Sequence, residues 1–262
     1  MDLATIIGLV GALVIVTLTM IIDGGSPVEL FAHPQALLLT FGGALLAAAV
    51  AQPMKHLTQL PKWFMVAIFD RNKFDTEGTI NLLASMADKA RREGLLALEE
   101  ESKKVESDFL KRGIMMVVDG VDPAQVRAIL EIEIKHTFER HEEGGISFLN
   151  AAGGYGPTMG IIGTVMGLVS ILKQLSDPTS LGPKIAAAFL ATLWGILSAN
   201  MIWLPLAGKL AFRNHEETNY YRMLLEGILA LQAGENPRVV RDKLSAFLPP
   251  RERAEEGAEA KA

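Results

Sequence analysis

Polar and apolar positions in this chain are sorted into long blocks. Four stretches contain no Asp, Glu, Lys or Arg: Leu3 to Ile22, Pro34 to Met54, Ile146 to Leu172 and Ile185 to Gly208. At a helical rise of about 1.5 Å per residue each reaches roughly 30 Å, the thickness of a bilayer's hydrocarbon core. Four transmembrane helices are predicted. The first block has the length of a secretory signal, but such a signal starts with basic residues and the only early charge here is Asp2, so a retained anchor is expected.

Between the second and third blocks, residues 55–145 carry the spacing of amphipathic helices. Asp75 is a candidate N-cap for a helix running to Arg92, with Gly94 placed to end it in a left-handed conformation. Asp122 followed by Pro123 signals a second start, and that helix is expected to run to Glu143 and stop at Gly144-Gly145. Val126, Ile129, Leu130, Ile134 and Phe138 recur on it at helical spacing, so its apolar face needs partners. A compact helical bundle is predicted, with the C-terminal segment through Phe247 packed beside it. The closing PPRERAEEGAEAKA is charged and poor in bulky residues, and disorder is expected there.

Lysine and arginine placement orients the blocks. Residues 23–33 hold neither, whereas Lys55, Lys62, Arg71, Lys73, Lys135 and Arg140 flank the insertion, and Lys209 and Arg213 follow the fourth block. The connector from Lys173 to Lys184 has only the two lysines at its ends. The insertion and both termini are therefore expected in the cytoplasm. The predicted fold is an all-α membrane protein in four parts: helices one and two (1–54), a cytoplasmic helical domain (55–145), helices three and four (146–208), and C-terminal helices with a tail (209–262).

Composition narrows the function. With 50% hydrophobic residues, the chain of 262 is too apolar for an ordinary soluble domain, yet its 21% charged residues exceed what an all-membrane protein carries. A net charge of −5 with no dominant basic patch gives no reason to expect nucleic acid, and the absence of cysteine excludes disulfides and thiolate metal sites. No phosphate-binding GxxxxGK[ST], no GxGxxG, no HExxH and no GxSxG occurs, and the five histidines are scattered, so no enzyme and no bound cofactor are expected.

The chemistry lies in the apolar blocks. Gly156, Gly160, Gly163, Thr164, Gly167 and Ser170 form a stripe of small residues in the third, and Ala188, Ala191, Thr192, Gly195, Ser198 and Ala199 form another in the fourth. Helices in lipid associate largely through such stripes. Pro157 and Pro205 each free a backbone carbonyl from its helical partner, which is tolerated at membrane depth mainly inside protein or beside a wet cavity. Together with Thr164 and Thr192 they point to a path for a small cation. Such a path ordinarily contains a carboxylate. These blocks have none, so the carboxylate must come from another polypeptide, expected to pack against the small-residue stripes.

MDLATIIGLVGAL at the start, MADKARREGLLALEEE in the insertion, GPTMGIIGTVMGLV in the third block, ATLWGILSANMIWLPLAGKL in the fourth and ENPRVV near the tail together resemble the MotA/PomA stator subunits of the bacterial flagellar motor. The resemblance implies a homopentamer in the inner membrane around a dimer of MotB/PomB. That partner brings one transmembrane helix with an essential aspartate and a peptidoglycan-binding domain. Ion flow then rotates the pentamer, whose cytoplasmic domain pushes on FliG of the rotor. Carried over by motif, Arg91, Arg92 and Glu99 match the rotor-facing charges, joined by Asp88. Pro157 and Pro205 match the prolines near the ion path, and Thr192 the threonine facing the partner's aspartate. Sodium-driven members tend to have threonine at the position of Thr164 where proton-driven members have alanine, so Thr164 with Thr192 favours sodium as the coupling ion, a hard cation suited to hydroxyl oxygens. One departure stands out: sodium-driven members have an acidic residue near the outer start of the second span, where this chain has His33. The ExbB/TolQ energy-transducing proton channels share the pentamer-around-dimer logic but have three spans, and the two-plus-two layout argues against them. A transporter acting alone would need an intramembrane charge or a polar substrate site.

Overall fold

The computed structural model describes residues 3–69, 74–173 and 178–250, and among these every regular element is helical. In chain order the main helices are α1 (Leu3–Ile22), α2 (Pro34–Val50), α3 (Leu60–Ile68), α4 (Thr76–Glu93), α5 (Leu98–Ser102), α6 (Asp108–Val118), α7 (Pro123–Leu172), α8 (Leu181–Gln232) and α9 (Pro237–Leu244). Three of them, α1, α7 and α8, are long and apolar enough to cross a membrane; α2 is apolar but shorter. The second block was expected to be helical to Met54; α2 instead ends at Val50, because Pro53 takes an extended backbone (φ −68°, ψ 147°) that begins a separate turn at Met54–Leu57.

The chain folds as two compact units. One comprises residues 3–69 and 141–212. Its core is Ala48, Ala67, Ile146, Phe148, Leu149, Ala152, Trp203, Leu206, Ala207 and Leu210. Helix α3, which the sequence places in the cytoplasmic insertion, belongs to this unit, since Trp63, Phe64 and Ala67 turn its apolar face into that core. Helix α1 has no buried residue at all.

Gly144-Gly145 does not end a helix. The backbone passes through a π turn at Glu142–Ile146 and continues as α7. The two glycines serve packing instead: a Cβ on Gly145 would lie 2.8 Å from the Trp63 ring, and one on Gly144 3.1 Å from it. Likewise α8 does not stop at Gly208 but runs to Gln232 through a second π turn at Ala199–Trp203. Pro205 comes just after that turn, where widening of the helix relieves the ring's clash with the preceding carbonyl. Pro157, by contrast, sits inside a continuous α7.

The other unit comprises residues 74–140 and 213–250. Asp75 caps α4 as predicted, accepting from Gly78 N at 2.9 Å, and Gly94 follows with φ 88°. Asp122 caps the start of α7 by accepting from Ala124 N at 2.9 Å. Two caps went unread in the sequence: Ser107 for α6, accepting from Leu110 N, and Asn236, preceding Pro237, for α9. Val126, Leu130 and Ile134 are buried with Ile80, Leu83, Leu110, Ile114, Leu224 and Ile228. Ile129, predicted on the same face, is 49% exposed, and Phe138 only half-buried. Helix α9 closes the bundle through Val240 and Leu244. The disorder expected of the tail concerns Arg251 onward, which lies outside the described residues, as do residues 174–177 of the connector.

The two small-residue stripes meet each other. A Cβ on Gly160 would fall 2.8 Å from Ala191 O and 3.0 Å from Thr192 Cα, one on Gly195 2.6 Å from Gly156 O, and one on Gly167 2.5 Å from Ala188 Cβ. The clearance that these glycines create is taken up within the chain. Gly154, with nothing within 4 Å, lies outside the contact. Gly160→Ala should therefore destabilise by about 1–3 kcal/mol, the usual range for overpacking, while Gly154→Ala, whose added methyl meets nothing, should stabilise by up to about 1 kcal/mol through helix propensity. Thermal unfolding of the solubilised protein distinguishes the two.

Candidate functional site

The close approach of α7 and α8 puts their hydroxyls together. Thr164 Oγ1 and Thr192 Oγ1 are in hydrogen-bond contact. Each hydroxyl also reaches a carbonyl of the opposite helix: Thr164 to Ala188 O at 3.0 Å and Thr192 to Gly160 O at 3.4 Å. Thr164 lies in addition 3.2 Å from Gly160 O, on its own helix. Two hydroxyls supply only two protons, so four such contacts cannot all carry a hydrogen at once. The result is a small, oxygen-rich point of hard donors, the ligand chemistry that suits an alkali or other hard cation. Both threonines are half-buried, so the cluster is screened but still reachable. Its existence depends on glycine at 160 and 195, because any side chain there would drive the two helices apart.

Pro157 and Pro205 are not part of this cluster. Pro157 is half-buried about 10 Å before Thr164 along α7, and Pro205 is exposed roughly 20 Å beyond Thr192 along α8. Ser170 is exposed and joins nothing in the α7–α8 contact. The sequence reading overlooked Thr40, fully buried in α2 and donating to Ala36 O at 2.8 Å; a lone threonine in LLLTFGG was its only signal. Among the described residues no group of three or more His, Cys, Asp or Glu converges to hold a metal ion.

The predicted charged positions lie in the other unit, near the α4–α5 turn that Gly94 makes. Arg91, Arg92 and Glu99 are exposed and Asp88 half-buried. Arg92 pairs with Asp88 at 2.9 Å and Lys103 with Glu99 at 3.5 Å. Pairs this exposed contribute little to stability, which leaves their charges free for another use. What holds the turn is a different pair, absent from the sequence reading. Lys89 donates to Glu101 at 2.8 Å, clipping α4 to α5, and Lys104 joins Glu101 at 3.0 Å. Hydrogen bonds from Lys89 and Lys104 hold the Glu101 carboxyl below its ordinary range, and the bond to Glu101 raises the Lys89 ammonium above its own.

The pattern of the MotA/TolQ/ExbB proton channel family matches residues 101–223. Motility protein A of Treponema phagedenis is 38% identical over 259 residues, covering 99% of this chain and 98% of that protein. The chain belongs to the MotA/PomA family. Chemotaxis protein PomA of Vibrio alginolyticus is likewise 38% identical, over 97% of this chain and 98% of its own length. Among solved structures, the flagellar MotAB stator complex from Bacillus subtilis superposes with a TM-score of 0.89 at 34% identity, over 95% of this chain and 97% of that one. MotA/PomA proteins are ion-channel subunits of a membrane machine and not enzymes.

The Lys89–Glu101 clip has a pH signature. A carboxyl with a lowered pKa stabilises the fold above its unfolded value and loses that contribution as pH falls through the lowered one. Lys89, raised, keeps its contribution below its ordinary value and loses it only in strong alkali. Glu101→Gln should accordingly speed amide exchange across residues 95–102 at pH 7, and wild type should converge on the variant as pH drops below the ordinary carboxylate range. Equal exchange at pH 7 would refute the clip.

Proposed function

We propose that this chain is a flagellar motor stator subunit that converts ion flow into rotation. In this reading α1, α2, the later part of α7 and the early part of α8 cross the bacterial inner membrane, with both termini cytoplasmic. Five copies surround a dimer of a MotB/PomB-type partner, whose aspartate supplies the carboxylate these helices lack. The observation that carries the reading is the meeting of Thr164 and Thr192 with two backbone carbonyls in a stretch free of any charge. Hydroxyls and carbonyls can share a cation's coordination, but without a countercharge they cannot hold it, which makes a carboxylate from a partner necessary. The kinship with proteins solved as MotAB complexes supports such a partner. The gradient suffices as fuel, since one elementary charge crossing 100 mV releases about 2.3 kcal/mol.

Sodium is the coupling ion in this proposal, with Thr164 and Thr192 replacing part of its water. The description of the matching family as proton channels favours the proton as the second reading. Swimming speed measured across sodium concentrations at constant pH separates them. The sodium reading expects speed to collapse without sodium, and Thr164→Ala to raise the half-saturating concentration several-fold. Speed that is indifferent to sodium but follows the proton gradient assigns the proton.

Arg91, Arg92, Glu99 and Asp88 are the surface offered to FliG of the rotor. Reversal by Arg91→Glu or Glu99→Lys should weaken swimming severalfold while the complex with the partner still purifies whole. Loss of the assembled complex would make these charges structural.

A further inference from the structure

Trp194 lies two residues beyond Thr192 and is 7% exposed. A tryptophan near a membrane surface usually turns its N–H to water or headgroups. This one donates from Nε1 to the Leu30 carbonyl at 2.7 Å in a buried bond spanning 164 positions. Leu30 belongs to the 3-10 turn Pro27–Phe31, in the connector between α1 and α2. Pro27 at the start of that turn presets its backbone, and Leu30 is itself buried. The indole is flanked by Phe31 from the same turn, with centroids 5.4 Å apart, and by Phe41 from α2 at 6.0 Å. One side chain of α8 thus fastens both the connector and α2.

Residues i and i+2 of an α-helix point about 200° apart. Thr192 and Trp194 accordingly occupy different sides of α8, with the contact to α7 made by Ala188, Ala191 and Gly195 between them. That contact consists of small residues, which permit close approach but offer little to resist rotation of one helix about its axis. A large ring anchored on one side supplies the resistance. We propose that Trp194 is a positioning residue for the threonine pair: by latching the Pro27–Phe31 turn to α8 it sets the rotation of α8 that brings the Thr192 hydroxyl onto Thr164. The ion-binding consequence rests on the proposed function, but the latch itself is a statement about geometry and is tested separately.

The chain contains no cysteine, so a Thr164→Cys, Thr192→Cys double variant reports the meeting of these two positions directly, by disulfide formation in membranes that also contain the partner. Trp194→Phe keeps the ring and removes the donor. Crosslinking yield under a mild oxidant should fall at least fivefold on adding Trp194→Phe. Unchanged yield overturns the latch. Should Trp194→Phe fail to accumulate, Phe31→Leu combined with Phe41→Leu strips the flanking rings, and the same loss is expected, with retention again overturning the proposal. In the chain with both threonines intact, Trp194→Phe should raise the half-saturating sodium concentration at least threefold with maximal swimming speed within twofold of wild type. A fall in maximal speed alone would reduce Trp194 to general packing. Lost crosslinking together with indifference to sodium would uphold the latch and reject the sodium reading of the site it serves.

Discussion

Backbone against backbone is the contact on which the apolar unit depends. Two helices approach this closely only where both omit side chains at the same level, and α7 and α8 do so from Gly156 opposite Gly195 to Gly167 opposite Ala188. In water this arrangement would be a poor bargain, since glycine weakens a helix by about 1 kcal/mol relative to alanine and buries little apolar surface. In hydrocarbon, where no hydrophobic force drives helices together, packing of this kind is a principal source of attraction. Thr164 and Thr192 could not share oxygens across the interface at a wider spacing.

Much of this was legible in the sequence, and the reasons differ from element to element. The apolar blocks were legible because a charge-free run of twenty residues has few other uses. The Asp75 and Asp122 caps and the Gly94 stop were legible because capping is local chemistry, settled within four residues. Gly144-Gly145 was misleading for the same reason: a local rule read them as a stop, but their role is set by Trp63, about eighty positions away in sequence. The stripes were legible as packing surfaces, but that they pack on each other was not, since spacing reveals a smooth face and not what lies on it. Thr164 and Thr192 were picked out individually; their contact was a consequence of the stripes meeting. Trp194 and the Lys89–Glu101 clip left no periodic trace, because a single long-range hydrogen bond leaves no pattern along a chain.

Among the described residues three helices contain a π turn, at Leu38–Gly42, Glu142–Ile146 and Ala199–Trp203. Such a turn carries one residue more than an α-helical turn and weakens the local ladder, so it persists where something compensates. At Glu142–Ile146 the gain is the seat for the Trp63 ring. At Ala199–Trp203 it is the accommodation of Pro205 with Trp203 turned into the core. At Leu38–Gly42 the buried Thr40 hydroxyl returns a hydrogen bond to the Ala36 carbonyl, within the helix that it loosens.

Helix α1 follows a different rule from the rest of the chain. With no buried residue, it contributes no interior to the protein that carries it. Within the chain it touches the Pro27–Phe31 and Ala199–Trp203 turns, yet most of its surface stays open to what surrounds the single chain, whether lipid or an adjoining subunit. Its twenty residues add little to the interior of one chain and leave most of their surface for contacts outside it. A change on its surface would therefore be felt as a defect in the number or tightness of associated chains, while each chain alone melted as before.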